Sequence, residues 1–387
     1  MASWEFPPLV VGGIAAHADG LARALARAGH EVVVLTLHHP DVPDDAEVDG
    51  VRVLRAVAEL PWLPDDQFVA RMAGSNHHLV ALAARLGDWR PDVVHAHDWL
   101  VAWAGQTLRT WWGVPLVATI HATERGRSGG HLGPGQPSAI NSVEWWLTYE
   151  ATRVICCSQF MRHEVLDAFQ LPGEKVDVVP NGVDPAEWAP ADDGGRRRRG
   201  GDEPLLVTWG RVQYEKGFQT FVHALPEVRQ AVPGVRAVVA GQGSYLSDLH
   251  AAARAVGVED ICSFPGFVTD DELKGLLHEA TVAVIPSLYE PFGIVALEAM
   301  AAGAPVLAAA SGGLVEVIDG TGAGVLYPAG DPGALSAAMR RMLAQPDGLA
   351  EQQAAAAKLL EGYTWDAVAA RTVPVYAAAS ALANPTA

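Results

Sequence analysis

Short runs of Val, Leu and Ile alternate along this chain with stretches whose apolar residues recur at helical spacing, and the alternation stops once and then restarts. In the first half the runs are Glu31–Thr36, Val51–Arg55, Asp92–Ala96, Pro115–Ile120 and Lys175–Val179. Consecutive apolar positions of this length fit strands buried on both faces. Between them lie segments such as Ile14–Ala28, apolar at helical spacing and followed by Gly29 as a stop. Strand, helix, strand repeated in this way imposes a parallel sheet, because a crossover helix returns each strand in the same direction. After Asn181–Trp188 comes a polar stretch, Asp192-Asp193-Gly194-Gly195 and then Arg196–Arg199, with nothing to bury. Beyond it the strands resume at Leu205–Trp209, Arg236–Ala240, Ile261–Phe264, Val282–Pro286 and Pro305–Ala309. Helices are predicted near Gln219–Gln230, Leu246–Val256, Asp270–Glu279 and Ile294–Ala301. The expectation is an α/β protein of two doubly wound domains: residues 1–190, a linker over 191–203, residues 204–364, and a helix in 365–387 that packs back on the first domain. Ligands in such sheets bind outside the carboxyl ends of the strands, so the two halves are expected to face a central cleft.

Composition removes several functions. Of 387 residues 50% are hydrophobic and 19% charged, enough apolar mass for two cores. Asp and Glu outnumber Lys and Arg 45 to 27, a net charge of −18 that repels nucleic acid and anionic bilayers alike. A lipid-facing role would need a basic amphipathic helix, and Val69–Trp89 offers only Arg71 and Arg85 with His77 and His78. No apolar run is long enough to span a membrane, and Cys156, Cys157 and Cys262 form neither a disulfide framework nor a zinc spacing. A cytoplasmic protein that binds neither nucleic acid nor membrane is expected.

The segment from Ser287 to Met300 is the richest in chemistry. Pro291 and Gly293 keep a helix from starting before Ile294, which leaves the amides of Phe292, Gly293, Ile294 and Val295 without intrahelical acceptors, at the positive end of the helix dipole. Such a terminus attracts a phosphate. Glu290 precedes it and Glu298 lies a little over one turn inside, and two acceptor-only carboxylates beside a phosphate seat suit a nucleoside diphosphate sugar. The segment Thr208–Gly217 follows another strand and carries Arg211 and Lys216, two cations able to stabilise a departing diphosphate without a metal.

In the first half, Gly12-Gly13 lies just before a helix and would let backbone approach a ligand closely. His95-Ala96-His97-Asp98-Trp99 and Thr119-Ile120-His121 end two predicted strands. The His-x-His pair invites a metal, but no third ligand follows at a recognisable spacing and the two are expected on opposite faces of the strand, so no metal is expected. Gly241-Gln242-Gly243 begins like a dinucleotide fingerprint, but Leu246 stands where its last glycine belongs, and a dehydrogenase is rejected. Nine of the 12 Trp residues lie at or before Trp146, and pairs such as Trp111-Trp112 are read mainly as helix-to-sheet packing.

Glu290-x7-Glu298, Glu290-Pro-Phe-Gly, Gly210-Arg211 with Lys216, Asn181-Gly182-Val183-Asp184, Gly12-Gly13 and the His95 and His121 loops together resemble the retaining GT-B glycosyltransferases of family 4. Ser3–Pro8, His95–Leu100 and Thr119–Glu124 are most similar to the actinobacterial glycogen-synthase-like α-glucosyltransferases. The resemblance implies two Rossmann-like domains, a metal-independent hexosyltransferase and no cofactor beyond the donor substrate. It implies transfer of glucose from ADP-glucose or UDP-glucose to an α-1,4-glucan, with a small-molecule or lipid-linked acceptor as the alternative. Carried over by position, Arg211 and Lys216 would hold the diphosphate, Glu298 the ribose, and Glu290 with the Phe292 and Gly293 amides the glucose. Gly12 and Gly13 would approach the phosphates, and His121 and Asp98 would border the reacting sugar. Such relatives usually carry a Lys just before the glycine pair, where this chain has Val11.

Overall fold

The computed structural model describes residues 1–190 and 203–383. The predicted linker, with Arg196–Arg199, falls almost entirely outside the described residues. The chain divides into two compact units, Met1–Gly182 with Trp365–Ala387, and Val183–Thr364.

The first unit is built on an eight-stranded sheet. Its strands are β1 (Ala2–Ser3), β2 (Val32–Leu37), β3 (Asp45–Val48), β4 (Val51–Ala56), β5 (Val94–His97), β6 (Leu116–Ile120), β7 (Arg153–Cys156) and β8 (Val176–Val178). They lie in the order β3-β4-β2-β1-β5-β6-β7-β8, parallel throughout except for β3, which pairs antiparallel with β4. The chain leaves β1 toward β2 and later returns to β5 on the other side, so the strand order reverses at β1/β5, the place where a doubly wound sheet opens a crevice at its carboxyl ends. The Gly13–Arg27 helix covers the centre with Ala15, Ala18, Leu21, Ala22, Ala24 and Leu25 buried. The Trp365–Ala383 helix packs beside it, burying Val368, Ala369, Val375 and Ala379. The contact is close because Gly20 has no side chain: a Cβ there would collide with the Trp365 indole.

The second unit holds a six-stranded, wholly parallel sheet: β9 (Leu205–Trp209), β10 (Arg236–Ala240), β11 (Cys262–Gly266), β12 (Val282–Ile285), β13 (Val306–Ala309) and β14 (Gly324–Tyr327). The order is β11-β10-β9-β12-β13-β14, with the reversal at β9/β12. Phe218, Phe221, Leu225 and Val228 from the Phe218–Ala231 helix join Leu206, Val239, Val284 and Leu307 in its core. The strands expected from the apolar runs are present within a residue or two, whereas β1, β3, β7 and β14 correspond to none of those runs. All three cysteines are buried, and none is in a disulfide among the described residues.

Candidate active site

In the second unit the loops leaving β9 and β12, the two strands at the reversal, are the two segments singled out from the sequence. They are locked together through backbone. Gly217 adopts φ 69°, and a Cβ there would collide with the Pro286 carbonyl oxygen. The amides of Leu288 and Tyr289 donate to the Glu215 carbonyl at 2.8 and 3.3 Å. A Cβ on Gly241 would strike the Gly210 carbonyl and one on Gly243 the Val212 carbonyl, so the glycines that imitate a dinucleotide fingerprint serve this loop-to-loop packing instead.

The knitting brings Lys216 and Glu290, 74 residues apart, into an ion pair of 2.7 Å between Nζ and Oε2. Ser287 Oγ donates to the same carboxylate oxygen at 3.1 Å. Glu290 is buried, not a surface loop residue. Gly293, at φ 106°, caps the Ile294–Ala301 helix, and a Cβ would run into Leu314. The helix starts where the sequence placed it, so the amides of Ile294 and Val295 have no intrahelical acceptor. Burial pushes the Glu298 carboxyl up to about 7, and the nearby Trp209 indole, whose Nε1 stops short of hydrogen-bond geometry, offsets part of this. Arg211 is exposed and makes no ion pair among the described residues. Phe292 is buried.

In the first unit the carboxyl ends of β1, β5 and β6 converge at the reversal. The glycine pair is held by Glu5, whose Oε2 accepts from the Val11 and Gly12 amides at 2.6 and 2.8 Å. Gly12 is extended at φ −164°, so the pair is no tight turn, and its amide is already spoken for. Gly13 opens the helix. Asp98 sits just beyond β5 at φ 67° and ψ 172°, a conformation costly to any residue with a side chain and typical of functional sites. Its Oδ1 accepts from the Trp99 amide at 2.9 Å, and burial raises its carboxyl. Burial, and then the Asp98 carboxylate, push Glu144 up to about 8; its Oε1 accepts from the Glu124 amide at 2.9 Å.

Four histidines gather at this end. His95 and His97 lie on one face of β5, with ring centroids 4.2 Å apart, which corrects the expectation that they straddle the strand. Residues two apart share a face; only neighbours alternate. His95 is fully engaged, with Nδ1 at 2.7 Å from the Tyr376 hydroxyl and Nε2 at 2.7 Å from Thr119 Oγ1. His97 stacks on His121, and His17, from the Gly13–Arg27 helix, sets its edge against His121 with centroids 4.7 Å apart. Burial holds all four below the usual imidazole range, His17 at about 4. The tryptophans also need correction: Trp99 is buried, but Trp111 and Trp145 are 54% and 46% exposed and are not core. A cavity of about 370 Å³ lies at the opposite end of this sheet, at the amino ends of β2 and β5. Its lining combines apolar residues such as Val33, Trp89 and Trp112 with His30, Glu31, Asp92 and His95, and because ligands of doubly wound sheets bind at the carboxyl ends of the strands it is not the candidate site.

Sequence reasoning missed Glu5, His17 as a site residue, and Glu144. His17 could have been found as one helical turn beyond Gly13; nothing local marks the other two.

Two doubly wound α/β units, one with a lysine–carboxylate pair and a second carboxylate around a helix start at its switch point, have the architecture of the GT-B glycosyltransferases. Residues 11–187 match the model of "Glycosyltransferase Family 4" and residues 195–359 that of "Glycosyl transferases group 1". A glycogen synthase of Mycobacterium tuberculosis is 40% identical, over 98% of this chain and 94% of that protein. A D-inositol 3-phosphate glycosyltransferase of Kineococcus radiotolerans is 33% identical, over 94% of this chain and 90% of its own. The solved sucrose-phosphate synthase of Thermosynechococcus elongatus superposes with a TM-score of 0.82 at 25% identity, covering 98% of each chain. The chain belongs to glycosyltransferase family 4 and is a glycosyltransferase. No helix among the described residues is long and apolar enough to cross a membrane.

Proposed function

We propose that the chain transfers glucose from ADP-glucose or UDP-glucose to a hydroxyl of an α-1,4-glucan, retaining the anomeric configuration and requiring no metal. The observation that carries this reading is the 40% identity to a glycogen synthase along nearly the whole of both chains. The Lys216–Glu290 pair supports it chemically. Lys216 and the exposed Arg211 take the diphosphate, the first-turn amides at Ile294 and Val295 add to its seat, and Gly13 is the glycine proposed to approach the phosphates. Glu290 and the Phe292 and Gly293 amides accept and donate to the sugar hydroxyls; Glu298 takes the ribose. As the glycosidic bond breaks, negative charge grows on the diphosphate, and fixed cations stabilise it more in the transition state than in the ground state. His121 and Asp98 border the sugar, and the acceptor hydroxyl attacks from the face the diphosphate leaves. His121 stabilises the transition state and forms no covalent bond.

A second reading, a small-molecule acceptor, is favoured by the 33% identity to a D-inositol 3-phosphate glycosyltransferase. Release of nucleotide from ADP-, UDP- and GDP-glucose, with and without maltooligosaccharide, glycogen or inositol phosphate and in the presence of EDTA, tests both. Glucan-stimulated release of ADP or UDP is expected. Stimulation by inositol phosphate alone overturns the glucan reading and supports the second.

A further inference from the structure

Three of the four clustered histidines do something that packing does not require. One ring nitrogen of each of His17, His97 and His121 lies within 4.8 Å of those of the other two. His97 Nδ1 and His121 Nε2 are 3.4 Å apart. Two nitrogens bound to one tetrahedral zinc at about 2.0–2.1 Å stand about 3.3–3.4 Å from each other, so this edge is already at ligand spacing. His17 Nδ1 lies 2.8 Å from Asn181 Oδ1, an oxygen that only accepts, so Nδ1 carries the proton and Nε2 is the bare, lone-pair nitrogen. That Nε2 is buried and has no hydrogen-bond partner. A metal-bound histidine ordinarily anchors its other N–H to a carbonyl in this way. His95, with both nitrogens satisfied, takes no part.

We propose that His17, His97 and His121 form a site for one borderline divalent ion, zinc(II) or cobalt(II), with the fourth position open, and that the ion inhibits transfer by occupying His121. Three neutral imidazoles suit such an ion and not magnesium or calcium, which take oxygen ligands. The inhibitory half rests on the proposed role of His121 at the sugar; the binding half does not.

Cobalt(II) added to chelator-stripped protein without an affinity tag tests the binding half. The expected result is one ion per chain with the intense visible bands of a four-coordinate complex, bleached by zinc(II). His17→Gln and His97→Gln should abolish the bands, Asn181→Ala, which keeps all three rings, should weaken binding about 10- to 100-fold, and His77→Gln should change nothing. Absence of bands in the unaltered protein, or bands that survive both His17→Gln and His97→Gln, overturns the site. Zinc(II) should then suppress nucleotide release from the active donor, and EDTA should restore it. Bands without inhibition overturn the inhibitory half alone. Failure of the metal-free protein to turn over any donor, with the bands intact, counts against the proposed function and not against the site.

Discussion

Lys216 and Glu290 illustrate how a binding group can also be a structural one. The pair is only partly solvated, so removing one partner strands the other's charge, while removing both removes the penalty. Lys216→Met should lower nucleotide release about 100- to 1,000-fold and also lower the melting temperature. Adding Glu290→Gln should restore much of the stability and none of the activity; calorimetry and turnover on the three proteins separate the two effects. Glu144 gives a pH dependence. Its folded carboxyl, at about 8, lies above its ordinary value of 4.5, so between those values the folded chain holds a proton that the unfolded chain has lost. Stability from this group is therefore undiminished below about pH 4.5, declines as pH rises, and is flat above about pH 8. Glu144→Gln should remove that decline, so its melting temperature should gain on the unaltered protein by a few degrees between pH 5 and pH 8. At this scale the sequence located Arg211, Lys216 and Glu290 on loops that follow strands and Glu298 within the helix after them, and the structure has them there. The sequence did not show Glu5 or Glu144, because their importance comes from contacts made only on folding, with the Val11 and Gly12 amides six and seven residues on for Glu5 and with the distant Asp98 carboxylate for Glu144.

Among the elements, the loops after β9 and β12 are held by a glycine where any other residue would force them apart. Gly217 and Gly257 have nearly the same φ, 69° and 70°, but a Cβ on Gly257 meets nothing within 4 Å while one on Gly217 meets the Pro286 carbonyl. Gly257→Ala should cost about 1 kcal/mol, the ordinary penalty for a left-handed residue. Gly217→Ala should cost clearly more and weaken donor binding, measured by denaturant unfolding and nucleotide titration. Central strands were legible because burial on both faces leaves an unbroken apolar run. β3 was not, since it lies at the sheet edge with exposed and half-buried residues alternating. β7 hides because it opens on Arg153 and leaves only three apolar residues, Val154–Cys156; the guanidinium is answered across the sheet by Asp177 on β8, at 2.6 and 2.8 Å. β14 begins at Gly324, a poor strand former whose Cβ would crowd Ile318.

At the scale of the whole molecule, the first unit is discontinuous in sequence. Trp365 packs on Gly20, Arg27 pairs with Asp366 at 2.6 Å, and Tyr376 meets His95. A chain stopped after Thr364 should lose the calorimetric transition of the first unit and keep that of the second, whose residues are all present. Equal loss of both transitions would refute the division. The order of synthesis gives the Gly20–Trp365 seam a further meaning. On the ribosome, residues 13–27 emerge early and can pack on their own sheet, but the stripe around Gly20 that meets Trp365 stays uncovered until the whole of the second unit has been translated and the Trp365–Ala383 helix follows. A premature stop or frameshift within residues 183–364 would leave that stripe bare for chaperones and proteases to find. The helix thus makes completion of the first unit a check that the message was read through the second.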